Sequence, residues 1–161
     1  MLRISLFAFL ILLSFNCFSA TLTWNGNVSS DWNNSGNWMP AQIPLASDNV
    51  IIESGLFNPS LNIGVSVAQF TINSGTFDLG GYILNITGDS QFNAGSIING
   101  TISINNTLCD FNGTLFNLSM TVNSETLLFD GSTFNGLNYE FIKTGASNDY
   151  SEGGNSFAIG T

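Results

Sequence analysis

The chain carries eleven acidic residues, two basic ones and no histidine. Carboxylates are therefore its main stock of reactive groups. Asp89, Asp110, Asp130, Asp149 and Glu152 are scattered through Gly-, Asn- and Ser-containing stretches that read as turns. A pair of carboxylates can act as acid and base on a glycosidic bond. Lys143 is the only cation beyond residue 20, so little positive charge is on hand to stabilise a developing anion. Cys109 has no basic neighbour in sequence to activate it and reads as a small buried apolar residue. We expect no catalytic set. Asp31, Asp48 and Asn49 offer oxygen atoms of the kind calcium takes, without EF-hand spacing. All three tryptophans, Trp24, Trp32 and Trp38, fall within residues 21–44. Exposed aromatic rings can stack on sugars, and Trp32 and Trp38, in the turn-rich part, are the candidates for that. The competing expectation is structural: Trp24, Trp32 and Trp38, with Pro44 and Asp48, close the open first coil of a stacked fold.

These residues need a frame, and the N-terminus does not supply it. Residues 1–20 read as a secretory signal: Arg3, an apolar run from Ile4 to Leu13, then small residues at Ser19 and Ala20. The run is shorter than the roughly 20 apolar residues that span a bilayer. Small side chains at Cys17 and Ser19 favour a cut after Ser19. The net charge of −9 and the single exported cation exclude nucleic acid and anionic membrane as partners, since phosphate contacts need Lys or Arg. With Cys109 the only cysteine left, no intrachain disulfide can form. A small extracellular domain without disulfides needs another source of stability.

A repeat supplies it. Apolar residues recur every six positions at Ile86, Phe92, Ile98 and Ile104, then at Phe116, Val122, Leu128 and Phe134. Asp110 is the one misfit in the series, and a one-residue shift that turns Phe111 or Cys109 inward would relieve it. Asn repeatedly follows the apolar position, where it suits a tight corner and can bond the Asn above or below. The stretch Asp110–Asn117 also aligns with Leu128–Asn135, eighteen residues on. Three faces of six residues close one coil, so equivalent residues stack at the ~4.8 Å spacing of neighbouring strands. The expected fold is all-β: a single-stranded, three-faced β-solenoid, or parallel β-helix, with a Trp-rich N-terminal cap. A β-sandwich, which also has short strands and regular turns, is the alternative. The expected layout is signal 1–20, Trp-rich cap and first strands 21–60, coils 61–142, and a loop with an incomplete last coil 143–161. The predicted core columns are Ile98–Phe116–Phe134, Ile86–Ile104–Val122, and Phe92 with Leu128.

The opening TWNGNVSSDWNNSGNWMPAQIPLASDNVII resembles the N-terminal module of bacterial, Bacteroidetes-type surface adhesins, autotransporter-like or type IX-secreted. The residues that carry the likeness are Trp24, Gly26, Asp31, Trp32, Asn37, Trp38, Pro44, Asp48, Val50 and Ile52. The step from Pro44 to Ile52 is also similar to the start of G8-type β-helical domains. The resemblance implies a secreted or cell-surface, non-catalytic adhesion or structural module. Its partner would be a surface glycan, a protein, or further solenoid coils. The alternative is a degenerate or partial polysaccharide-binding or polysaccharide-active β-helix, which would bring Asp110 and Asp130 together in a groove beside exposed aromatics.

Overall fold

A computed structural model describes residues 19–157. The expected signal segment lies outside these residues except at its last two positions. Among the described residues no helix is long and apolar enough to cross a membrane. The first strands are β1 (Thr21–Trp24), β2 (Trp38–Met39), β3 (Asn49–Ile52), β4 (Val65–Val67), β5 (Gln69–Ile72), β6 (Thr76–Asp78), β7 (Ile83–Ile86) and β8 (Ser90–Phe92). Two long bent strands follow, β9 (Ser96–Asn112) and β10 (Leu115–Asp130), then β11 (Thr133–Phe134), β12 (Tyr139–Lys143), β13 (Tyr150–Ser151) and β14 (Ser156–Phe157).

The ladders are parallel except where β2 runs antiparallel along β1. The chain therefore winds as a three-faced β-solenoid of about six turns, not a sandwich. The first face stacks β1, β3, β5, β8, the ends of β9 and β10, and β13. The second stacks β6, the starts of β9 and β10, β11 and β14. The third stacks β4, β7, the middles of β9 and β10, and β12. Side chains alternate in and out along each face, so each coil contributes a few apolar residues to one central core.

The core columns correct part of the six-residue reading. Val67, Ile86, Ile104, Val122 and Phe141 are register partners on the third face. On the second face the inward residue is Ile97, paired with Phe116, while Ile98 is only half-buried. On the first face Ile52, Ile72, Phe92, Phe111 and Phe129 form the column. Leu128 pairs with Asp110 on the outward side, and Cys109 and Leu127 turn inward. Corner length explains both corrections. Ile104 to Val122 is eighteen residues, Ser90 to Cys109 nineteen and Phe70 to Ser90 twenty. One extra corner residue flips the parity of everything after it.

Aromatic rings fill the resulting shaft. Phe92 stacks on Phe111 at 5.2 Å and Phe111 on Phe129 at 5.1 Å. Phe116, Phe134 and Phe157 form a second stack at 5.1 and 4.7 Å. Of these, Phe92, Phe111, Phe116 and Phe134 are fully buried, and each contributes about 1.5–3 kcal/mol. At the corners, Gly95 has φ +81° and a Cβ there would lie 2.5 Å from the Gly75 carbonyl oxygen of the coil below. Only glycine fits that approach. Asn also stacks on Asn, with Asn93 donating to Asn73 at 2.9 Å.

Candidate functional site

The tryptophans are interior. Trp32 and Trp38 are 0% and 1% exposed and Trp24 is equally buried, so none of them offers a sugar platform. Trp38 packs edge-on against both Trp24 and Trp32, at 5.0 and 4.6 Å. Trp32 stacks on Phe77 at 5.1 Å and so extends the aromatic shaft. The Trp38 indole donates to the Trp32 carbonyl and the Trp24 indole to the Phe57 carbonyl, both at 2.8 Å. The first coil would otherwise expose its apolar end, and large rings cover it most economically. Pro44 is half-buried, and Asp48 is buried with its carboxylate bonded to the backbone of Ala20 and Leu45.

The calcium ligand set does not assemble. Asp31 accepts from the Asn33 backbone and the Asn62 side chain, while Asp48 is engaged elsewhere. Among the described residues no three His, Cys, Asp or Glu side chains are placed to share an ion.

The acids on the first face are a closer matter. Asp110 and Leu128 are register neighbours, as are Asn112 and Asp130, so Asp110 and Asp130 lie diagonally on adjacent strands. Partial burial, then the Asp130 charge, raises the Asp110 carboxyl above its ordinary range. Tyr150, 60% exposed, pairs with Leu128, and its hydroxyl donates to Glu152 at 2.5 Å. Asp89 accepts from the Leu108 amide and Asp149 from Lys143 at 2.6 Å. The Lys143 ammonium holds the exposed Asp149 carboxyl below its usual range. These acids do not line the hollows found on the surface, which belong to another corner.

Those hollows lie where the second face bends into the third. One, of about 510 Å³, is lined by Thr101, Ser119, Thr121, Leu137, Asn138 and Glu140 among others. Its neighbour, of about 340 Å³, shares Ser119 and Leu137 and adds Asn117, Asn135 and Gly136. The corner is shaped by a register shift between Asn117 and Ser119 that turns Leu118 into the core. Gly136 then rides directly over the Leu118 carbonyl, where a Cβ would overlap it. The Tyr139 hydroxyl accepts from the Gly136 amide at 2.5 Å and donates to the Phe116 carbonyl at 3.0 Å. The wall is thus rigid, but Leu137 stands 78% exposed between the two hollows.

The third face continues from this corner as a polar sheet. Ser66, Asn85, Ser103, Thr121 and Glu140 stack as one outward column, and Ile83, Thr101 and Ser119 as the next. Among the described residues, the side chains of Thr101, Ser119, Thr121, Asn138 and Glu140 have no hydrogen-bond partner. They are left to solvent or to a ligand. Tyr82, partly exposed, sits beside Gly100 at the same corner. Sequence periodicity pointed at the core and missed this surface. The available signal was the glycine at this corner in three of four coils, Gly81, Gly100 and Gly136, with Leu118 standing there in the coil between the last two.

Fold and surface together define a β-solenoid module with a closed, Trp-filled first coil. Residues 23–112, from β1 to the end of β9, match the model of a family described as a domain of unknown function (DUF8693), and the chain belongs to that family. Neither the curated proteins nor the solved structures gave a match.

Proposed function

We propose that this chain is a non-catalytic adhesion or structural module, exported to the surface or surroundings of a bacterium, whose partner is a neutral surface glycan. One observation carries the reading. Unpartnered hydroxyls and amides gather around the adjoining hollows, and the third face carries the polar column on through Ser103 to Asn85 and Ser66, which bond each other. Such groups match the donors and acceptors of sugar hydroxyls, and Leu137 and Tyr82 offer apolar surface for a ring's C–H face. Glu140 is the one charged side chain lining these two hollows, and the protein's strong negative charge disfavours acidic glycans and nucleic acid. Export is supported by the sequence of residues 1–20.

The resemblance to Bacteroidetes-type adhesins supports the same class of role. The Asp110–Asp130 pair beside exposed Tyr150 favours the second reading, a degenerate polysaccharide-active β-helix. Affinity electrophoresis through gels containing xylan, mannan or mixed-linkage glucan tests the first reading. We expect retardation in at least one, reduced at least tenfold in affinity by Ser119→Trp, which fills the hollow, and unchanged by Gln91→Ala on the first face. Retention on cells through a protease-sensitive surface, with no retardation in any gel, would instead make the partner a protein.

A further inference from the structure

Asp48 is 1% exposed. Its carboxylate accepts three hydrogen bonds: from the Ala20 amide at 2.9 Å on Oδ1, and from the Leu45 amide at 2.9 Å and the Gln42 side chain at 3.2 Å on Oδ2. All three donors are neutral in the unprocessed chain. Among the described residues the one basic side chain, Lys143, is bound to Asp149 at 2.6 Å. A buried carboxylate without a cation is costly, and folded proteins pair such groups.

The atom nearest to supplying that cation is the Ala20 nitrogen. Ala20 is clamped from both sides, because its carbonyl accepts from the Asn49 amide at 2.7 Å while its nitrogen meets Asp48. It is half-buried, whereas Ser19 before it is exposed. Cys17 and Ser19 are the small residues three and one positions before Ala20, after an apolar run.

We propose that a signal peptidase cuts between Ser19 and Ala20 and that the new α-ammonium of Ala20 is the cation Asp48 holds. Water adds to the Ser19 carbonyl carbon and the C–N bond breaks. Ser19 departs as a carboxylate, and the Ala20 amine takes up a proton. A neutral amide donor thereby becomes a charge-assisted one at the same atom. The exported form is more stable than the precursor, so removal of the leader helps to lock β1 against β3. The proposal rests on the export part of the functional reading and is independent of any glycan.

Two measurements decide it. Mass spectrometry of the chain exported from a bacterium should find Ala20 as the first residue. Separately, the chain Ala20–Thr161 with a free amine should melt roughly 5 °C above the same chain N-acetylated, or extended by Ser19. Asp48→Asn should erase that difference. An exported chain beginning at any other residue overturns the cut. Equal melting of the free and acetylated chains overturns the ion pair, and this comparison decides alone if the Asp48→Asn variant does not fold. Loss of glycan binding with both results as expected would fault the functional reading and leave this one standing.

Discussion

Asp110 lies on the outward side of the first face, and burial followed by the Asp130 charge raises its carboxyl pKa. Between its unfolded and folded values the native state holds more protons than the unfolded chain, so this group's contribution falls as pH rises. Asp110→Asn should therefore raise Tm by about a degree or two at pH 7, and the gain should vanish below the ordinary Asp range near pH 3–4. Thermal melts of both proteins across that range check the sign. Cys109, beside Asp110 in sequence, is shifted in the same direction and is fully buried. Burial above all pushes its thiol far up; the Ser90 hydroxyl, donating at 3.6 Å, opposes this and the Asp110 charge adds to it. It should resist a thiol reagent such as DTNB in the native protein and react at once in denaturant. Sequence alone predicts a buried Cys109, and the structure buries it. The burial of Trp32 and Trp38 was not legible there, because a turn-rich segment gives no sign of which way its rings face.

Elements were read well wherever corner lengths stayed constant. Ile86, Ile104 and Val122 stand eighteen residues apart and pair in register. Phe116 and Phe134 do the same. Ile98 and Leu128 were placed on the wrong side because the corners before them add or drop a residue, and local hydrophobicity cannot count corner residues. Ile97 and Ile98 are both apolar, as are Leu127, Leu128 and Phe129; only the stack chooses between them. Substitution should separate the pairs. Phe111→Ala should cost about 3–5 kcal/mol in urea unfolding, while Leu128→Ala should cost less than about 1 kcal/mol. Gly95→Ala should also destabilise, by at least the ~1–2 kcal/mol of a left-handed non-glycine residue, since its Cβ meets the coil below. A Gly95→Ala variant with wild-type unfolding would contradict the corner geometry.

The whole molecule is a stack closed at its first coil by β2 and three tryptophan rings. At the other end Phe157 is 55% exposed. Its stability comes from columns that no single coil can bury alone, with one ion pair among its described residues, Lys143–Asp149. The architecture was legible because eighteen is three times six. The candidate surface was not, because exposed Ser, Thr and Asn look alike at every outward position until the corners place Leu137, Asn138 and Ser119 around one hollow. The central claim is that this surface binds a glycan without cleaving it. The most direct test incubates the purified chain with xylan, mannan and mixed-linkage glucan and follows, in the same samples, bound protein and new reducing ends. The account predicts binding to at least one polymer with no new reducing ends. Reducing ends that accumulate, and disappear with Asp110→Asn or Asp130→Asn, would contradict it.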